Sequence, residues 1–263
     1  MSFRHWHALA STDIPRFDPE NTVVLLPLSA VEQHGPHLPL GTDALINAGL
    51  IAAVEGRDLK ADLLVLPAQV IGHSLEHASF PGTLTLSAEV LLQSWTAIAK
   101  AVSATGLRKI VLLNTHGGNS ALVHVAALRM RAEHALLAVR ANYSAFGSPA
   151  GLFAAEELRD GLHGGEMETS LMLHLHPELV RIEALGNFTA LTHRMSKPGR
   201  LLGPEKPVGF GWLSEDLSPG GASGNAAAAD AARGERLLAH LADSLAQLID
   251  EVAATPLSTL RPA

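Results

Sequence analysis

A chain of 263 residues is near the upper limit of what one hydrophobic core supports, and 47% hydrophobic residues with 23 Gly and 15 Pro exclude a disordered or collagen-like chain. Against 26 Asp and Glu stand 19 Lys and Arg, a net charge of -7 without a basic cluster, so neither nucleic acid nor an anionic membrane is an expected partner. The absence of cysteine excludes disulfide scaffolds, thiol nucleophiles and thiolate metal sites, and leaves the 14 histidines as the main chemical resource.

Residues 1–17 hold Arg4, His5, His7, Asp13 and Pro15 where a secretory signal would be apolar, so the cytoplasm is the expected compartment. Pro27, Pro67 and scattered charges interrupt each apolar stretch before it could span a membrane. Near-continuous apolar runs at 22–28, 63–70, 109–114 and 136–141 predict four strands buried on both faces. Between them, apolar residues at three-and-four spacing predict helices over 43–54, 87–103 and 119–134, opened by Asp, Ser and Asn as N-caps. Further helices are expected over 166–175, stopped by Pro177, and over 226–253. The alternation predicts one domain over 1–263, an α/β three-layer αβα sandwich on a mostly parallel sheet. Its ligands should bind outside the carboxyl ends of the strands. Segment 196–224 is dense in Gly and Pro and carries Phe210 and Trp212; it reads as a lid over the site or over a neighbouring subunit's site.

The loops after the strands concentrate groups that bind metals or move protons. Glu32, His34, His37 and Asp43 follow the first strand, His73, Glu76 and His77 the second, His116 and two glycines the third, Asn142 and Tyr143 the fourth. In an extended segment Glu32 and His34 point the same way. Asp43 alone would read as an N-cap, but in that company it is expected to turn inward. His163, Glu166 and Glu168 form the last polar cluster. On a helix the two glutamates lie about 200° apart, so only one can face the site; Glu168 is assigned to it and Glu166 to the helix dipole or water. His73 and His77 read as wall residues, and His73, Tyr143 and Trp212 as substrate contacts. His5, His7, His124, His134, His174, His176, His193 and His240 lack acidic company at a strand end and read as structural or surface residues. Two imidazoles and three carboxylates without sulfur suit Zn, Mn or Fe. Two such ions, about +4, would be balanced by three carboxylates and a bridging hydroxide, a centre suited to hydrolysing an amide or an ester.

The strings LSAVEQHGPHLPLGTD, GHSLEHASFPGTLTLS, NTHGGNSA and HGGEMETS, with a weaker SGNAAAADAARGERL, resemble the creatininase family of metal-dependent amidohydrolases. The resemblance implies two divalent metal ions per chain, Zn, Mn or Fe, held by Glu32, His34, Asp43, His116 and Glu168, with Asp43 as the bridge. It implies His163 as the residue that assists proton transfer, and hydrolysis of a non-peptide or unusual C–N bond by a bridging hydroxide. The expected substrate is a small amide, cyclic amide or formamide, and the expected assembly a homo-oligomer, up to a hexamer. Two departures matter. Gly118 stands where creatininase proper has an acidic residue, and the tryptophans that stack on creatinine are missing, with Arg159 and Asp160 in that region, which argues against creatinine. The family also resembles deformylases and a peptidase that trims a modified peptide, so the substrate does not follow from the fold. The rival readings are a peptidase with the same centre and a metal-binding subunit without turnover. A phosphate-binding loop is disfavoured because THGGNS lacks the lysine.

Overall fold

In the computed structural model, which describes residues 2–197, 199–205 and 207–260, the four predicted strands lie in one sheet. The strands β1 (Phe3–His5), β2 (Thr22–Leu28), β3 (Asp62–Val65), β4 (Lys109–Asn114) and β5 (Leu137–Asn142) run parallel in the order β1-β3-β2-β4-β5. Every residue of β2 and β4 is buried, as expected of central parallel strands covered on both faces. The edge strand β1 is too short and too polar to stand out in the sequence; it is tied on by the Ser2 N–H, which donates to Asp62 Oδ1 at 2.6 Å. β3 stops at Val65, short of the expected end at 70, because Pro67 cannot donate to the ladder. Pro27 is tolerated within β2 because its missing N–H faces the side where β3 has already ended, and its carbonyl still accepts from Gln69 at 2.9 Å.

The helices are α1 (Thr42–Glu55), α2 (Ala88–Ala104), α3 (Ser120–His134), α4 (Ala155–Asp160), α5 (Glu166–Leu175), α6 (Leu191–Met195), α7 (Ser214–Leu217) and α8 (Ala231–Ala254). Period-2 alternation divides the strand side chains between two cores. Val23, Leu25, Val111 and Leu113 meet Leu50 of α1, Leu171 of α5 and Leu241 and Leu245 of α8. Val24, Leu26, Ile110 and Leu112 meet Trp95 of α2 and Val123 and Met130 of α3. The result is the three-layer αβα sandwich. Ser87 caps α2 by accepting the Val90 N–H, whereas Asn119 does not cap α3. α8 begins at 231 rather than 226 because Asp230 caps it, accepting the Arg233 N–H, while Ala226–Ala228 winds as a 3-10 turn. No helix among the described residues is long and apolar enough to cross a membrane.

From the central β2 the chain first moves to β3 on one side, then crosses to β4 on the other. The loops leaving β2 and β4 therefore diverge and open a crevice at the carboxyl end of the sheet, where such folds bind ligands. The wall of that crevice comes from α4, α6 and the segment 196–224, which contains α7 and the short strand β7 (Gly224–Asn225), paired antiparallel with β6 (Asn187–Phe188).

Candidate metal centre

Side-chain amides fasten the loops that carry the centre. Asn114, the last residue of β4, donates to the His116 carbonyl at 2.6 Å and to Asn142 Oδ1 at 2.9 Å. Asn119 donates to Ser29 O and Asn114 Oδ1 and accepts the His73 N–H at 2.9 Å, joining the loops after β2, β3 and β4. Asn47 and Thr115 anchor the first turns of α1 to the ends of β2 and β4.

On this frame Glu32, His34, Asp43 and His116 converge, all buried. Asp43 enters from the first turn of α1, which Gly41 rather than Asp43 caps. Its Oδ1 is 3.4 Å from His34 Nε2 and its Oδ2 is 3.3 Å from His116 Nδ1, while His116 Nδ1 is also 3.3 Å from Glu32 Oε1. Three rings share one arrangement. The outer nitrogen of His34 donates to Glu32 O at 3.1 Å, that of His116 to His73 O at 2.8 Å, and that of His163 to Gln33 O at 2.6 Å. A neutral ring so held turns a lone pair toward carboxylate oxygens, and acceptor meets acceptor unless a proton or a metal ion stands between them. Glu32 Oε2, His34 Nε2 and Asp43 Oδ2 are buried and make no hydrogen bond. An unsatisfied buried polar atom costs about 1–3 kcal/mol, so the pattern calls for cations. Ligands at about 2.0–2.1 Å on a tetrahedral ion lie about 3.3–3.4 Å apart, which matches the two separations at Asp43 and that between His116 and Glu32. The donor set therefore fits a divalent metal on each side of Asp43.

The electrostatics of the protein groups lead to the same place. Burial opposes charge on His34, yet Asp43 and then Glu168 hold its imidazole up to about 9. His116 is likewise raised against its burial, chiefly by Glu32. Burial would raise Glu32, but His116 brings it down to about 2, and Asp43 is lowered in the same way by His34. Positive charge is thus favoured at both nitrogen positions. His163 differs: burial and then His34 lower it, so it is neutral. It stacks between His34 and His77, at 4.1 and 4.2 Å, with Nδ1 3.7 Å from Glu32 Oε1. His77 stays neutral through burial, at about 3, and accepts the Gln33 amide N–H at Nδ1 (2.7 Å), so its Nε2–H points at Glu32 Oε1, 3.4 Å away. That makes His77 a proton donor to Glu32.

Glu168 Oε2 lies 4.0 Å from His34 Nε2 and accepts the Gly164 N–H at 2.6 Å; its Oε1 accepts the Tyr143 hydroxyl at 3.2 Å. Burial and then Glu168 keep that hydroxyl protonated. Glu166 points away from the centre, in the first turn of α5 where the dipole role put it, but it does not face water: it is buried and ion-paired with Arg233 of α8. A cleft of ≈ 1450 Å³ opens on Glu32, Asp43, His116, His163 and Glu168. Tyr143 and Trp212 line it, the latter donating to Glu205 at 2.9 Å. His73 does not. Its ring turns outward to Leu86 O at 3.0 Å, and its carbonyl, not its imidazole, serves the site. The sequence reading gave no role to Gln33 and no individual one to Glu76, although Gln33 stands between Glu32 and His34 and Glu76 beside His77 in a loop after a strand.

The fold and these groups define a three-layer α/β protein with a carboxylate–histidine cluster at the carboxyl edge of its sheet. The chain matches the creatininase (creatinine amidohydrolase) family over residues 7–249 and belongs to that family. It is 32% identical over 228 residues to the mycofactocin precursor peptide peptidase of Mycobacterium ulcerans, covering 84% of this chain and 81% of that protein. It is 30% identical over 180 residues to the creatinine amidohydrolase of Pseudomonas putida, covering 61% and 67%. A solved creatininase variant superposes with a TM-score of 0.76 and 26% identity over 94% of this chain and 98% of the other. Other solved creatininases are described as Zn–Zn and Mn forms.

Proposed function

We propose that this chain is an amidohydrolase that cleaves a C–N bond using two divalent ions, Zn, Mn or Fe. The observation that carries the reading is Asp43, whose two oxygens stand 3.3–3.4 Å from imidazole nitrogens of two different loops. Glu32 and His116 would hold one ion and His34 and Glu168 the other, with a carboxylate oxygen of Asp43 available to each. Ions there supply a water that deprotonates near neutral pH and a Lewis acid for the carbonyl. His163, neutral and fixed through Nε2 by Gln33 O, keeps a lone pair on Nδ1 that can take a proton and pass it to the leaving nitrogen. Tyr143 fixes Glu168 and closes one side of the cleft.

A small amide, cyclic amide or formamide fits the deep end beside His163. A peptide substrate is the second reading, favoured by one observation: ≈ 1450 Å³ exceeds the roughly 300–1,000 Å³ of ordinary small-molecule sites. Its support beyond the geometry is the peptidase at 32% identity. Assaying formamides, cyclic amides and peptides before and after chelation tests both readings. C–N hydrolysis that chelation abolishes and Zn or Mn restores is expected. Full activity in metal-free protein would overturn the metal reading, and selective peptide turnover would displace the small amide.

A further inference from the structure

Glu157 of α4 borders the cleft but is only 8% exposed. Its Oε1 accepts the N–H of Glu166, the first residue of α5, at 2.6 Å, and its Oε2 accepts the N–H of Asn225 in β7 at 2.9 Å. α5 needs such a partner, because its N-cap residue is Gly165, which has no side chain to satisfy the open N–H groups of a first turn. The carboxylate fits where three segments lack side chains. A Cβ on Gly161 or on Gly165 would stand 2.3 Å from Oε1, and one on Gly224 2.7 Å from it. Alongside, His163 and Ser223 exchange backbone hydrogen bonds at 3.2 and 2.7 Å. The stretch 163–168 is thus tied to the β7 segment by a backbone bridge near one end and by the Glu157 carboxylate near the other, while His37 holds Gly164 O at 3.0 Å.

We propose that Glu157 is a positioning residue for the centre: seated among the three glycines, it caps α5 from outside the helix and so leaves the Glu168 carboxylate free to turn to the ion beside His34. This assignment rests on the reading of Glu168 as a ligand. Of the two carboxylates in the first turn of α5, Glu166 is committed to Arg233. Glu168, at the third helical position, is the one drawn back to the open amides when the outside cap is removed, as the glutamate of a capping box is.

The test is metal content and affinity, measured by elemental analysis and calorimetry with Zn or Mn on the full chain. Wild type should bind two ions. Glu157→Gln, which offers one acceptor where two N–H groups must be met, should keep one ion at wild-type affinity and bind the other at least about tenfold more weakly. Gly165→Ala should reproduce that loss, because the added methyl displaces the carboxylate. Combined with Glu157→Ala it should cost nothing further, since the methyl then meets no carboxylate. Glu166→Gln, which loosens the same helix through Arg233, should keep both ions, so that a loss specific to Glu157 separates positioning from stability. Should Glu157→Gln fail to fold, Glu157→Asp, one methylene shorter, carries the same expectation. Two ions at wild-type affinity in the folded Glu157 variant, whatever its Tm, or additive losses in the double variant, would overturn the assignment alone. A wild-type chain that binds no ion would overturn the dinuclear reading and the assignment together.

Discussion

Glu166 and Glu168 sit two residues apart in the first turn of α5, yet their loss should produce opposite phenotypes. Glu166 is buried, with its side chain 5% exposed, and pairs with the Arg233 guanidinium, which is 28% exposed. Removing one partner of a buried pair costs about 3–5 kcal/mol. Arg233 is partly solvated and keeps Asp230, so we expect a cost at or just below that range's lower bound, about 2–3 kcal/mol, for Glu166→Gln. For a chain of this size that lowers Tm by roughly 4–12 °C, with both ions retained. In Glu168→Gln one oxygen still accepts from Gly164 or Tyr143, so the apo Tm should move by less than about 4 °C. That variant should lose one ion and nearly all activity. Differential scanning fluorimetry of apo and loaded protein, with elemental analysis of each, separates the two. A Glu166→Gln variant that keeps its Tm but loses an ion would show that the wrong carboxylate has been assigned to the centre.

Three further outcomes follow from the same geometry. His163→Ala should retain two ions while kcat/KM falls by at least about 100-fold, and an ion lost with the imidazole would make His163 a ligand instead. Because His34 is held up to about 9, it is protonated at pH 7 without metal, so an ion must displace that proton. Metal affinity should therefore rise with pH until about 9, and calorimetry in buffers of different ionisation enthalpy should register proton release on loading at pH 7. Trp212→Ala should raise KM and leave bound metal unchanged, because Trp212 lines the cleft from segment 196–224 without touching the centre; unaltered kinetics would reduce that segment to a surface loop.

The parts legible in the sequence are those that short-range physics dictates. Apolar runs as continuous as those of β2 and β4 are stable only as central parallel strands, and the rule that such sheets bind at their carboxyl ends then singled out the loops holding Glu32, His34, Asp43 and His116. That Glu166 and Glu168 face opposite ways follows from helical geometry alone. Features decided by contacts between distant segments could not be read. The edge strand β1 depends on Asp62, the outward turn of His73 on Leu86, and the burial of Glu166 on Arg233 in the last helix.

The outer nitrogens of His34, His116 and His163 end on carbonyls of Glu32, His73 and Gln33, all within the loops after β2 and β3. Their tautomers are therefore set by backbone at the sheet edge. The outer cleft is built from different material: α4, α6 and segment 196–224. Gln33 links the two, since its amide reaches His77 on one side and Ser214 Oγ and Gly221 O on the other, at 3.0 and 2.9 Å, and the backbone of His163 pairs with that of Ser223. A wall built from segments other than those that fix the rings can change its cleft-facing residues, and so its substrate, while the metal ligands and their tautomers stay as they are. That separation gives a physical reason why one family contains proteins named for creatinine and for a peptide, and why the cleft rather than the ligand set has to be probed to learn which bond this chain cleaves.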